Sequence, residues 1–168
     1  MPICPESFHY AAIVLAYIFW HRPHSAVERA AYEAAIRDFH RTLDVLCASF
    51  RLNELPFDEV DGYEDWYLVD DWDAVGRLRD VAVDAARRRA HDRAARQSAK
   101  GWGAIYRLVR GEALPPPLAR WLEKPAAQSY EEFMETLGSS AVWQRQLVLG
   151  PAAEFCIAEG PAGIRQAL

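Results

Sequence analysis

The alternation of hydrophobic and polar residues divides the chain into short strands and amphipathic helices. Residues 11–21 are apolar in both alternating directions, which is typical of a central strand covered on both faces. After a break at Pro23, Ser25 and Glu28 have the spacing of a capping box, in which each side chain accepts a hydrogen bond from the other residue's backbone N–H. Apolar residues then recur every three or four positions, so we predict a helix from Ser25 to residues 47–49.

The following segments predict two more strands, a long helix and a fourth strand. Residues 49–55 form a weaker strand, and residues 63–69 form a strand rich in aromatic residues. Asp73 is suited to be the N-cap of a helix that Gly101 ends, and residues 102–110 form the fourth strand. This is the ferredoxin-like βαββαβ order. It places the first and third strands side by side at the centre of an antiparallel sheet, with both helices on one face.

The C-terminal part of the chain resembles a shorter copy of its opening. Predicted strands at residues 118–123 and 141–149 flank a short helix, which begins with a second capping box at Ser129. We therefore predict an α+β fold in two parts. Residues 1–110 form a ferredoxin-like domain, and residues 111–168 form a partial βαβ repeat that packs on the same sheet and ends in a loop-like tail.

The composition of the chain argues against nucleic-acid binding, metal binding and insertion into a membrane. The 168 residues are 51% hydrophobic and carry a net charge of −5, whereas nucleic-acid-binding proteins usually have a basic surface, so no nucleic acid is expected. Three cysteines without a CxxC pair favour neither disulfides nor a thiolate metal site, and we predict no metal and no cofactor. Residues 11–20 are shorter than the roughly 20 apolar residues of a membrane span, and no signal-peptide pattern occurs. We expect a cytoplasmic protein without membrane contact.

A sheet with helices on one face leaves its other face uncovered. Because residues 11–21 are apolar in both directions, that second face is expected to be apolar and to need a cover. Either the C-terminal strands fold across it, or two chains pair face to face with two-fold symmetry. We expect a homodimer, in which the C-terminal strands assist the pairing.

Two motifs then resemble those of the dimeric α+β barrel proteins, which include EthD-like and antibiotic-biosynthesis-monooxygenase-like families. Glu64-Asp65-Trp66-Tyr67, followed by Asp70-Asp71-Trp72-Asp73-Ala74, is similar to the third strand and second helix of this group. Trp121-Leu122-Glu123-Lys124-Pro125, followed by Ser129-Tyr130-Glu131-Glu132-Phe133, is similar to a strand-to-helix opening of EthD-like chains. The resemblance implies a dimeric barrel. Activities in the group range from cofactor-free oxygenation to haem degradation, so it does not choose among them.

The candidate site residues are histidines, arginines and aromatic residues on or beside the predicted strands. His21 and His24 could act as proton acceptors at the end of the first strand, or they could be ordinary loop histidines. Arg107 lies within a strand, where a charge must face solvent, a partner or a pocket. His40 is expected at the helix–sheet seam and His91 in solvent. The predicted catalytic residues are His21, His24 and Arg107, and the predicted ligand-binding residues are Tyr17, Trp66, Tyr67, Tyr106 and Arg145.

Three functions remain open at this point. The first is a small-molecule-binding barrel protein that acts on an aromatic or polyketide-like compound. The second is a cofactor-free oxygenase or isomerase, in which an apolar pocket desolvates the substrate while a histidine or arginine assists proton transfer. The third is a structural or interaction protein whose aromatic residues only pack. A polar group that points into a closed apolar cavity would favour the first two functions over the third.

Overall fold

The structure, a computed structural model, describes residues 14–138, 140–148, 150–158 and 165–168. In these ranges the chain is α+β, with four helices and a curled antiparallel sheet of eight strands. None of these helices is long and apolar enough to cross a membrane. The elements are β1 (Leu15–Pro23), α1 (Arg29–His40), β2 (Leu46–Leu52), β3 (Gly62–Val69), α2 (Trp72–Ala82), α3 (Arg88–Gln97), β4 (Ser98–Arg110), β5 (Arg120–Leu122), α4 (Tyr130–Thr136), β6 (Val142–Val148), β7 (Phe155–Ile157) and β8 (Arg165–Ala167).

The strands lie in the order β5-β7-β6-β4-β1-β3-β2-β8, and every neighbouring pair is antiparallel. The first strand is therefore central, between β3 and β4. Tyr17 lies opposite Tyr67, and Phe19 lies opposite Asp65. Because side chains alternate along a strand, these four residues and His21 share one face, which we call the helix face. β6 pairs with β4, so the sheet continues across the boundary predicted at residue 110.

The helices α1 and α2 pack on the helix face. Leu43, which follows α1, and Leu78 of α2 lie in one buried cluster with Leu15 and Ile105 of the central strands. At the other end of α1, Tyr32 packs against the ring of Tyr63 with the ring centroids 5.2 Å apart. This packing leaves room between the sheet and the helices, and that space holds the candidate site described below.

The opposite face of the sheet, which we call the tryptophan face, is covered by the chain itself. Trp20, Trp66 and Trp143 on this face are fully buried. Phe57, from the loop after β2, and Trp121 of β5 both pack on Trp20, with ring centroids 5.6 and 5.0 Å away. The expectation of a bare face therefore does not hold. Segments of the same chain cover this face, so a second chain is not needed to bury it. The homodimer stays a prediction, but an uncovered apolar face no longer supports it.

Two helix boundaries differ from those predicted. The Ser25 capping box does not form, because residues 24–27 make a turn in which the Val27 N–H donates to the His24 carbonyl. Helix α1 begins later, after Glu28, whose side chain makes no capping hydrogen bond. For α2 the N-cap is Asp71 instead of Asp73, and its carboxylate accepts from the Ala74 N–H at 2.6 Å.

The predicted long helix from Asp73 to Gly101 is broken into α2 and α3. Asp84 fixes the break, because its carboxylate accepts from the backbone N–H groups of Ala86 and Arg87, both at 2.9 Å. The Arg87 guanidinium also donates to the Thr42 carbonyl at 2.6 Å, which ties the break to the end of α1. Gly101 ends no helix, since β4 already begins at Ser98. The second capping box is confirmed: Ser129 and Glu132 cap α4 reciprocally.

Candidate functional site

A cavity of about 780 Å³ lies between the helix face and the helices α1, α2 and α3. Its wall on the sheet side is aromatic, and the helices contribute mainly aliphatic residues such as Ile36, Leu78 and Val83. Cavities of this size and lining suit an organic molecule of several rings. The residues that carry chemistry in the lining are Tyr17, His21, Tyr32, Asp65, Tyr67, Arg79, His91 and Lys100.

The aromatic wall follows from the alternation along β1. The rings of Tyr17, Phe19 and His21 stand in a row on the helix face, with centroids 6.2 and 5.3 Å apart and planes inclined by 25° and 23°. Two glycines of β4 make room for this row. A Cβ atom at Gly103 would lie 2.8 Å from the Tyr17 ring, and one at Gly101 would collide with the Phe19 ring. The Tyr17 and Phe19 rings therefore lie over the neighbouring strand β4.

Asp65 is a buried carboxylate at the inner end of the cavity. Its Oδ2 lies 3.0 Å from His21 Nε2 and 3.4 Å from His40 Nε2, and it accepts a hydrogen bond from the Tyr67 hydroxyl at 3.1 Å. Its Oδ1 accepts from the Ser49 hydroxyl at 2.5 Å. Burial alone would raise the pKa of Asp65, but the neighbouring rings of His21 and His40 hold this pKa well below its usual range. The carboxylate is therefore ionised at neutral pH.

His40 supplies the positive charge that balances Asp65. Burial opposes the protonated ring, but the hydrogen bond and charge of Asp65 prevail, and the pKa of His40 rises to about 10. Both ring nitrogens have partners that suit a protonated ring: Nε2 lies 2.9 Å from the Tyr67 hydroxyl, and Nδ1 lies 3.3 Å from the Ser49 hydroxyl. A buried Asp65–His40 ion pair therefore anchors the site.

His21 connects this ion pair to the cavity. Its Nδ1 lies 2.6 Å from the Tyr32 hydroxyl, and its Nε2 faces Asp65 without the straight N–H···O geometry of a hydrogen bond. With the proton on Nε2, the Tyr32 hydroxyl donates to Nδ1. Burial is the main reason why the pKa of Tyr32 is raised, so this hydroxyl keeps its proton at neutral pH. Hydroxyl, imidazole and carboxylate thus follow one another, which is the arrangement of a proton acceptor oriented by a carboxylate.

The structure brings together three of the eight predicted site residues. Tyr17, His21 and Tyr67 all line the cavity. Trp66 lies on the tryptophan face, where its indole N–H donates to Glu64 at 2.5 Å. Tyr106 lies on the same face.

The other predicted residues also lie away from the cavity. The Tyr106 hydroxyl donates to the Ala153 carbonyl, and the Arg145 guanidinium donates to the Ala152 carbonyl. His24 and Arg107 are exposed and do not line the cavity. The two predicted arginines, Arg107 and Arg145, therefore do not line the cavity.

Residues absent from the predicted site form much of it. Asp65 is not among the predicted site residues, although it shares a strand face with Tyr67. His40 lies at the helix–sheet seam as expected, but the sequence pattern does not predict its pairing with Asp65. Ser49 and Tyr32 carry no sequence signal beyond their positions on a strand and on a helical stripe.

The donor set does not suggest a metal centre. In the described parts of the chain, no group of three or more His, Cys, Asp or Glu side chains could hold a metal ion. The nitrogens of His40 face hydroxyl groups and the Asp65 carboxylate instead.

Comparisons of the chain with models of protein families, with curated proteins and with solved structures find no match. The resemblance to EthD-like chains therefore stays a prediction. Only the residues that line the cavity indicate a function.

Proposed function

We propose that the protein binds a planar aromatic or polyketide-like compound in this cavity and acts on it as a cofactor-free acid–base enzyme. The observation that carries the proposal is that His21 and Asp65, a base and the carboxylate that orients it, both line a cavity whose wall on the sheet side is aromatic. A purely structural role leaves such a cavity without a purpose. A base that lines a cavity with an aromatic wall favours a binding or catalytic protein over a structural one.

The proposed first step is removal of an acidic proton from the bound compound. Tyr32 occupies His21 Nδ1, so the proton passes through Tyr32: its hydroxyl oxygen takes the substrate proton while its own proton moves to Nδ1. The products of this step are the substrate anion and an imidazolium that Asp65 stabilises. Isomerases and cofactor-free oxygenases share such a step, and exclusion of water by the apolar wall strengthens it.

The proposal extends to the fold. The strand order β4-β1-β3-β2, with α1 between β1 and β2 and with α2 and α3 between β3 and β4, supports a ferredoxin-like unit within residues 15–110. Strands β6, β7 and β5 extend this sheet beyond β4, and β8 extends it beyond β2. A dimeric barrel and a cytoplasmic location stay predictions.

The base can be tested before any natural substrate is known. The probe is 5-nitrobenzisoxazole, a planar aromatic compound whose C–H proton a base removes while the ring N–O bond breaks, giving a coloured cyanophenolate. We expect the protein to accelerate this elimination and the His21→Gln variant to lose at least about tenfold of the rate. The measurement is the initial rate of phenolate release at neutral pH, with circular dichroism to verify that each variant is folded.

His24→Gln is the matched control, because His24 is an exposed histidine three positions away and lies outside the cavity. This variant should retain the wild-type rate. Equal rates for the wild type and His21→Gln would contradict the role of His21 as the base.

A further inference from the structure

Basic residues dominate the charged part of the cavity lining. Apart from His21, the lining contains Arg79, His91 and Lys100, while Asp65 is the one acidic residue among the described residues that line it. The charge of Asp65 is already balanced by protonated His40. The cavity is therefore electropositive in a chain whose net charge is −5. Among the described residues that line the cavity, no carboxylate other than Asp65 would oppose an anionic group on the ligand.

Arg79 is the basic residue whose position is most informative. Helix α2 contributes Val75 and Arg79, and its C-cap residue is Val83; the three follow one another at a spacing of four and all line the cavity. A charge within this apolar stripe has no packing role. Its ion-pair contact in the described chain is with the adjacent Asp80, at 3.4 Å, and both side chains are exposed. Such a contact is weak and is easily exchanged for a ligand.

The other walls restrict what the ligand can be. The nearly parallel rings of Tyr17, Phe19 and His21 form an aromatic wall, and the Tyr67 ring centroid lies 5.8 Å from that of Tyr17. A fused aromatic ring system fits such a surface by stacking. A guanidinium is a planar donor that binds carboxylate-type oxygens through two parallel hydrogen bonds.

We infer that the ligand is an aromatic acid, whose rings stack on the Tyr17–Phe19–His21 wall and whose anionic oxygen group binds Arg79. The inference rests on the proposed function, because it names the class of compound that the same cavity accepts. It assigns α2 a specificity role: its apolar residues line the cavity, and Arg79, an exposed cation in the same lining, selects for an anionic group.

The test uses two fluorescent probes with the same rings. 8-Anilino-1-naphthalenesulfonate carries an anionic sulfonate, and N-phenyl-1-naphthylamine is the same ring framework without it. We expect Arg79→Gln to raise the Kd of the anionic probe about fivefold and to leave the Kd of the neutral probe unchanged. Fluorescence titration at low ionic strength measures both constants.

Arg77→Gln is the matched control, with the same change of charge on the same helix. Arg77 does not line the cavity and its guanidinium contacts Asp71 at 3.5 Å, so neither probe should respond to its replacement. Equal weakening of the anionic probe by both variants, or equal weakening of both probes by Arg79→Gln, would overturn the assignment of Arg79.

The two probes also separate this inference from the proposed function. Binding of both probes without any effect of Arg79→Gln would overturn the inference and leave the aromatic-binding cavity in place. Failure of the neutral probe to bind would contradict the cavity's proposed function itself, and the inference would fall with it.

Discussion

Asp65 organises the candidate site because it is a buried charge that four other side chains satisfy. Two hydroxyls donate to it, from Ser49 and Tyr67, and two imidazoles face it, from His21 and His40. An ionised carboxylate is costly to bury unless it is paired and hydrogen-bonded. These contacts meet that condition and leave His21, rather than Asp65, in position to exchange protons with a ligand through Tyr32.

The raised pKa of His40 makes the stability of the protein depend on pH. The value is about 10 in the folded chain against an ordinary 6.5, so the folded state binds the proton more tightly than the unfolded state. Its contribution to stability is complete below pH 6.5 and is lost as the pH rises toward 10. We expect the free energy of unfolding of the wild type to exceed that of His40→Gln most at pH 6.

Urea unfolding at several pH values from about 6 to about 9 measures this difference, and we expect it to shrink by about 1–3 kcal/mol over the range. The raised pKa values of the buried tyrosines Tyr17, Tyr32 and Tyr67 keep them protonated in this range. His24→Gln, at an exposed position, should follow the wild type at every pH. A difference between wild type and His40→Gln that stays constant with pH would rule out a protonated His40 in the folded state.

At the scale of elements, the alternation of residues along a strand predicts which side chains share a face of the sheet. Which helix side chains contact them depends on how the helices pack. The alternation in β3 puts Tyr63, Asp65 and Tyr67 on one face, and the predicted neighbourhood of the first and third strands brings that face to Tyr17 and His21. This part of the site could be predicted, because strand alternation is local and the register follows from it.

The contribution of α1 could not be predicted, because it depends on where the helix begins. With a start at Ser25 the sequence leaves the orientation of Tyr32 and His40 undefined, and the turn at residues 24–27 moves the start to Arg29. Likewise, the two carbonyl partners of Tyr106 and Arg145 lie in a loop near residue 152, which no periodic pattern describes. These contacts are tertiary, and spacing along the chain carries no information about them.

Alanine substitutions at two glycines, one in β4 and one in α2, are expected to change the free energy of unfolding in opposite directions. Alanine at Gly103 would place its Cβ 2.8 Å from the Tyr17 ring, so the ring must leave its stacked position. We expect Gly103→Ala to lower the free energy of unfolding by about 1–3 kcal/mol and to weaken binding of N-phenyl-1-naphthylamine. At Gly76, within α2, an added Cβ meets no atom of the described chain within 4 Å.

Gly76→Ala is therefore expected to raise the free energy of unfolding by about 0.5–1 kcal/mol, since alanine is the better helix residue. Urea unfolding of the two variants against the wild type measures both effects. A Gly103→Ala variant as stable as the wild type would show that the aromatic wall does not depend on close contact with β4.

At the scale of the whole molecule, the tryptophan face joins the two parts of the chain. Trp66 of β3 and Trp143 of β6 are in edge-to-face contact, with ring centroids 5.5 Å apart. Trp121 of β5 packs against Trp20 of β1. The face expected to pair two chains is therefore an internal core between residues 15–110 and the strands that follow. A homodimer, if formed, would use another surface than this one.

This shared core predicts that the chain unfolds as one unit, and Trp143 is the residue that tests it. Trp143→Ala removes a fully buried indole that only the C-terminal part contributes, so it should cost about 3–5 kcal/mol. Because the sheet is continuous, the loss should lower the stability of the cavity as well: circular dichroism and binding of N-phenyl-1-naphthylamine should be lost in one urea transition. Trp72→Ala is the control, since that indole is 48% exposed, and it should change the midpoint little. Trp143→Ala could instead unfold residues 111–168 at low urea while the probe stays bound. That result would show that the C-terminal part is a separate unit and that the tryptophan face does not couple this part to the cavity.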